Sequence, residues 1–213
     1  CSTGHTPGRL NAEAGGICTM LNITEVMSNP LDEDTGEFVE LLNVGDDAVD
    51  LVGYKLTDGS HIDTLAAFGS GSSVLKPGEY AVIVDAELDG DYTIPSDAIV
   101  VTTSDTHLGN GLSVKDEVTL LDSTGVDVID AFVYPRNPGN GVSVERVTNI
   151  TLDAADNWAA STCAFGASPG DDNCVTYTSG SSTSTVALVL TEVMSNPTDE
   201  KTGEFVELYN AGS

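Results

Sequence analysis

Apolar residues along this chain recur in short runs with a period of two, and turn-forming residues close each run. The pattern predicts strands at Asn22–Met27, Gly36–Asn43, Val49–Leu56, Tyr80–Val84, Ala98–Thr102, Glu117–Leu121, Val126–Tyr134 and Ser143–Val147. Val, Ile, Phe and Tyr dominate these runs, the composition that suits a pleated, half-buried surface. Alternation is clearest in the seventh run. Val126, Val128, Asp130, Phe132 and Tyr134 fall on one side of it, and Ile129, Ala131 and Val133 on the other. The separators are Asn29-Pro30, Lys76-Pro77-Gly78, Gly109-Asn110-Gly111, Ser123-Thr124-Gly125 and Asn137-Pro138-Gly139, combinations that set turn geometry. No segment sustains a helical period. Short strands in regular succession predict an all-β protein, a β-sandwich.

A repeat changes the picture of the chain's organisation. Thr24–Asp46 recurs at Thr191–Ser213, and the copies differ at Leu31/Thr198, Asp34/Lys201, Leu42/Tyr209, Val44/Ala211 and Asp46/Ser213. Identity over such a length marks a unit that restarts after one period. The expected layout is a leader or tether at 1–20, a sandwich at 21–175, a Ser/Thr/Gly linker at 176–185, and a partial repeat of the first two strands at 186–213. The repeat has two readings. It opens a further unit of a tandem array, or it donates strands to a neighbouring chain. Its strands, Leu188–Met194 and Gly203–Asn210, make Leu188, Thr191, Val193, Phe205, Val206 and Leu208 the expected assembly positions.

Charge narrows the partners. Thirty-four acids face seven bases, for a net charge of −27 at pH 7. Such a surface repels phosphate backbones and anionic headgroups, so nucleic acid is excluded as a partner, and it favours solubility and cations. No apolar run is long enough to span a bilayer as a helix. The chain starts at Cys1-Ser2-Thr3-Gly4, which is similar to a bacterial lipoprotein after cleavage of its signal peptide. Cys1 is therefore a lipidation candidate and the only expected link to a membrane. Cys18, Cys163 and Cys174 are disulfide candidates. Cys163–Cys174 is the easiest local pair, and Cys18–Cys174 would join the two ends of the body. An extracellular or cell-surface location follows from this reading.

The ordered motifs now in view resemble the lamin tail domain, in the form found in exported bacterial proteins. The resemblance runs through Ile23-Thr24-Glu25-Val26, Asn29, Gly36-Glu37-Phe38-Val39-Glu40-Leu41 and Asn43. It continues through Val49–Asp58, Leu75-Lys76-Pro77-Gly78, Asp116-Glu117-Val118, Val128-Ile129-Asp130, Ser143-Val144-Glu145-Arg146, Trp158 and Ser168-Pro169-Gly170 with Asn173. It covers about Leu21 to Val175 in the family's order. The C-terminal copy matches only the family's opening strands. The resemblance implies an immunoglobulin-like sandwich with no catalytic residues to carry over. It also implies an interaction module of filament, surface or repeat-containing proteins.

Three groups of residues are candidates for chemistry. The acids of Gly36–Leu41 interrupt a hydrophobic strand, and a buried carboxylate needs a partner. Arg146 is the expected partner of Glu25, Glu37 or Glu40, fixing strand register. Asp32, Asp34 and Glu37 lie in one tight loop at alternate spacing, which would suit Ca²⁺ as hard oxygen ligands. The spacing is not that of an EF-hand, and Lys201 replaces the acid in the second copy. Asp85, Glu87, Asp89 and Asp91 form a second acidic group. Neither a nucleophile elbow nor a zinc-protease or phosphate-loop motif occurs, and His5, His61 and His107 lie in unrelated contexts. No enzyme and no obligatory cofactor are expected.

The functional expectation is a non-catalytic extracellular protein that assembles head to tail or as a tandem array into a fibre or surface layer. Two alternatives share the same sequence features. One is a surface lipoprotein that binds glycan, protein or Ca²⁺. The other is an accessory domain of a larger secreted hydrolase.

Overall fold

The computed structural model describes residues 21–86, 92–103, 106–148 and 157–175, together with two strands at 188–194 and 205–210. The expected leader and linker, with Cys1 and Cys18, lie outside these residues, as do Glu87, Asp89 and Asp91 of the second acidic group, whose remaining member Asp85 is buried. Chain contacts separate two compact units. One spans Thr19–Tyr177, and the C-terminal strands belong to the other.

The first unit is all-β. Its strands are β1 (Leu21–Met27), β2 (Phe38–Asn43), β3 (Val49–Asp50), β4 (Lys55–Thr57), β5 (Ile62–Thr64), β6 (Ala66–Ala67) and β7 (Val74–Leu75). They continue as β8 (Tyr80–Val84), β9 (Ile99–Thr102), β10 (Glu117–Leu121), β11 (Val128–Val133), β12 (Val144–Arg146) and β13 (Trp158–Ala160). One sheet has the order β13-β12-β1-β2-β8-β9-β6, and a second runs β11-β10-β4-β5. The β3 and β7 strands pair separately. Every described pairing is antiparallel except β8 with β9.

The two large sheets face each other across one core. Ile23, Val26, Val39, Leu41, Ile83 and Val144 from the first meet Leu56, Val118, Leu120 and Phe132 from the second. This is the expected sandwich. The expected strand Val49–Leu56 divides in two, because Gly53 adopts φ 92°. That left-handed residue lets the chain leave β3 and enter the second sheet at β4. The short strands β5, β6, β7 and β13 carry too few residues to show a period, and the hydrophobic pattern missed them.

The central strands of the first sheet are buried on both faces. Their side chains alternate, so neighbours of the core residues point outward. Met27, Phe38, Val82 and Val84 form a second cluster there, with Phe68, Tyr92, Ile94, Val100 and Ala167 packed against it.

The second unit's described strands, β14 (Leu188–Met194) and β15 (Phe205–Asn210), form an antiparallel hairpin. Its register pairs Leu188 with Asn210, Glu192 with Glu207 and Met194 with Phe205, with a shift between Leu190 and Glu192. The β1–β2 pair has the same register and the same shift, one repeat earlier. Identical local sequence has built the same bulged ribbon twice.

Candidate functional site

The most organised polar feature lies on the outer face of the first sheet. Glu25 on β1 is the register partner of Glu40 on β2 and of Glu145 on β12. All three are 0% exposed. Each alternates with a core valine, so their carboxylates turn away from the sandwich interior. An irregular strap, residues 161–175, runs over them and supplies hydrogen-bond donors.

The Ser168 N–H donates to Glu25 (2.9 Å), the Gly170 N–H to Glu40 (2.6 Å) and the Val175 N–H to Glu145 (2.8 Å). Hydroxyls complete the set. Ser143 donates to Glu25 (2.5 Å), Thr24 to Glu40 (2.6 Å) and Ser168 to Glu145 (3.3 Å). The Asn173 side-chain amide donates to the carbonyls of Thr24 and Arg146, at 2.9 and 2.8 Å. The Cys163–Cys174 disulfide closes the strap on itself. Gly170 has φ 85°, and a Cβ there would come within 2.8 Å of the Ala98 Cβ. Only glycine brings that N–H so close to Glu40.

Burial pushes the Glu25 carboxyl up to about 7, against the pull of its hydrogen bonds from Ser143 and Ser168. Burial also holds Glu40 well above the ordinary carboxylate range, and the adjacent charge of Glu25 adds to it. Glu25 and Glu40 therefore both favour the protonated form beyond the usual carboxylate range, each opposing the charge of the other.

A second group of acids pins another irregular segment. Asp63 accepts from the Gly109 N–H (2.5 Å), Asp58 from the Asn110 N–H (3.1 Å) and Glu37 from the Leu112 N–H (3.0 Å). Burial lifts Glu37 to about 8, opposed by the Leu112 bond and helped by Glu33, Asp85 and Asp116. Burial would raise Asp58 too, but the N–H groups of His61, Asn110 and Ser60 outweigh it and hold the carboxyl below its usual range.

Several sequence expectations are corrected by this geometry. Arg146 pairs with Asp130, Nη2 to Oδ2 at 2.6 Å, rather than with Glu25, Glu37 or Glu40. Its Nε donates to the Ile23 carbonyl (2.7 Å), and its guanidinium lies 4.6 Å from the Trp158 ring centre. The Arg146 side chain faces the inner edge of the sandwich, where Asp130 stands, while its neighbour Glu145 faces outward. The glutamates take backbone N–H groups instead of a cation. Asp130 could have been found from sequence, because the alternation of the seventh run set it on the side of Phe132.

Asp32, Asp34 and Glu37 do not converge. Asp32 accepts from the Asp34 N–H (3.0 Å) as a local turn, and both are exposed. Glu37 turns inward to Leu112. Among the described residues, the one group of ligand-type atoms within metal-binding range is Glu145, Cys163 and Cys174. There the two sulfurs are already joined to each other. The disulfide decides between the two pairings open to Cys174. For His61, the nearby Ser60 hydroxyl is directed at Asp58 (2.9 Å) and not at the imidazole.

On the hairpin, Leu188, Thr191, Val193, Phe205, Val206 and Leu208 lie on strands. Val193, Val206 and Leu208 are 54%, 61% and 57% exposed. Their counterparts Val26, Val39 and Leu41 are 0% exposed.

Together, the two facing sheets, the Arg146–Trp158 corner and the strap define an immunoglobulin-like β-sandwich. The lamin tail domain family matches residues 19–136, more than half of the chain, and the chain belongs to that family. This is a non-enzymatic, immunoglobulin-like family. A comparison with curated proteins finds no significant match.

Proposed function

We propose that this protein is a non-catalytic structural module of an extracellular or cell-surface assembly, in which the C-terminal hairpin links one sandwich body to the next. The observation that carries the reading is the exposed apolar face of β14–β15. Three large aliphatic side chains stand in water on a ribbon whose twin buries the same positions fully. An isolated two-stranded ribbon is marginal in water, and exposed contiguous apolar surface marks an interaction site. The linkage is head to tail or in tandem, because the hairpin and the body that it would join are different surfaces. The Cys163–Cys174 disulfide supports an oxidising compartment. The buried carboxylates support a structural role, since each is engaged in holding a loop.

Sedimentation velocity over a concentration series tests the proposal. The mass of the 213-residue chain rises with concentration. A chain carrying Val206→Lys and Leu208→Lys stays monomeric, with the melting of its body unchanged. A wild-type chain that remains monomeric at every concentration would overturn linkage between separate chains.

A further inference from the structure

We infer that the exposed tip of the body formed by Phe165 and Leu31 is a docking site for a partner protein, which offers an apolar segment that also carries Lys or Arg. The inference goes beyond the assembly reading and uses no residue of the hairpin.

Among the described residues, Phe165 and Leu31 are the most exposed large apolar side chains, at 91% and 81%. They belong to different loops, and a third loop joins the two. The Gly141 N–H donates to the Asn29 carbonyl (2.7 Å), and the Ser143 N–H to the Gly166 carbonyl (2.9 Å). Gly141 and Gly166 have left-handed backbone, with φ 71° and 79°. A Cβ on Gly141 would come within 2.8 Å of the Leu31 Cγ, and one on Gly166 would collide with the Gly141 carbonyl. Leu31 therefore rests on Gly141, Gly141 rests on Gly166, and Phe165 is the next residue. Only glycines allow so close a stack.

The base of this tip is fixed. The Gly166 N–H donates to the Cys163 carbonyl (3.1 Å), closing a tight turn with Phe165 at its third position. The disulfide to Cys174 and the bond from the Ser168 N–H to Glu25 hold the flanks of that turn. Single apolar residues scattered over a surface are ordinary, but two on one rigid base form an anchor. A phenylalanine can bury on the order of 150–250 Å², and a turn already ordered loses little freedom when it docks.

Charge selects the partner. Asp32, Glu33 and Asp34 follow Leu31 directly and are exposed. Arg136 is the one base on the three loops, 29–35, 136–142 and 163–167. The whole chain carries −27. An acidic partner, a second copy of this surface included, meets repulsion there. A segment with bases beside its apolar side chains gains attraction at the rim while it covers Phe165 and Leu31.

Titration of the ¹⁵N-labelled full chain tests the inference, read by NMR. One probe is a short peptide alternating Leu and Lys, and the other is a peptide of equal charge alternating Ser and Lys. The expected result is saturable shifts confined to residues 29–35, 136–142 and 163–168, with the Leu–Lys peptide alone. Phe165→Ser combined with Leu31→Ser should weaken binding by roughly thirtyfold and leave melting unchanged. Glu33→Gln combined with Asp34→Asn should lower affinity and flatten its dependence on salt. Val206→Lys combined with Leu208→Lys should leave binding at the tip in place, which separates this site from assembly through the hairpin. Equal binding of the two peptides, or full binding by the Phe165 and Leu31 double variant, would reduce the effect to general attraction by acids and overturn the site. No binding would overturn it as well. Co-sedimentation with phosphatidylcholine vesicles in place of peptide binding would assign the tip to a lipid surface and overturn the protein partner.

Discussion

Glu25 is a carboxylate surrounded by hydroxyls and backbone N–H groups and fully shielded from water. With Glu37 and Glu40 it gives the domain an unusual pH response. All three have folded pKa values above the unfolded value of about 4.3. The folded state therefore holds protons that the unfolded chain releases. Their contribution is fully present below the unfolded value and is lost as pH rises through about 7 for Glu25 and about 8 for Glu37. Thermal melting at constant ionic strength is expected to fall between pH 5.5 and 8.5, and Glu25→Gln is expected to flatten that slope. A melting temperature that is level or rises over the same window would contradict the raised pKa values of Glu25, Glu37 and Glu40.

Arg146 makes a different residue-level prediction. Its pair with Asp130 is nearly buried, and removing one partner strands the other charge. Arg146→Met is expected to cost roughly 3–5 kcal/mol in denaturant unfolding. The double variant with Asp130→Asn should lose less than the sum of the two single changes. Additive losses would remove the pair from the stabilising set. Sequence alone pointed to a buried partner for Arg146 but chose the wrong acids. It looked to a cation for the buried carboxylates, although hydrogen bonds serve them as well. The structure uses peptide N–H groups, which carry no signature in a one-letter pattern.

Strands with a visible period were legible almost residue by residue. Tyr80–Val84 and Glu117–Leu121 match their predicted bounds, and β1, β2, β9, β11 and β12 differ only at their ends. The strap was illegible, although its Ser168-Pro169-Gly170 motif was noticed within the family resemblance. It is irregular, it lies far from β1 in sequence, and its role depends on what it covers. Two changes test it as an element. Gly170→Ala forces a Cβ toward Ala98 at a left-handed φ and should cost about 1–3 kcal/mol. Replacing both Cys163 and Cys174 by Ser opens an 11-residue separation and should cost about 2–3 kcal/mol. Hydrogen exchange at the Ser168 and Gly170 amides should accelerate in both variants, while β10 and β11 keep their protection. Unchanged exchange at those two amides would mean that the glutamates do not need the strap.

The molecule as a whole is defined by one sandwich body and a duplicate of its first ribbon. The acidic composition is partly explained by the body. Glu25, Glu37, Glu40, Asp58, Asp63, Asp130 and Glu145 are engaged inside it as acceptors for the chain's own donors. Reading acids at alternate spacing as a cation site overlooked that Asp32 and Asp34 stand exposed in a turn ahead of β2, while Glu37 at the edge of the strand is drawn inward by the Leu112 N–H. The hairpin's two strands, by contrast, were legible from identity alone, whereas the bulge that it shares with β1–β2 emerges only in the structure. The most direct test of its role is hydrogen exchange of the full chain at low and high protein concentration, read at residues 188–194 and 205–210. Assembly through the hairpin predicts that these amides become protected as concentration rises, in step with sedimenting mass. Exchange at the hairpin that is fast and independent of concentration would contradict it.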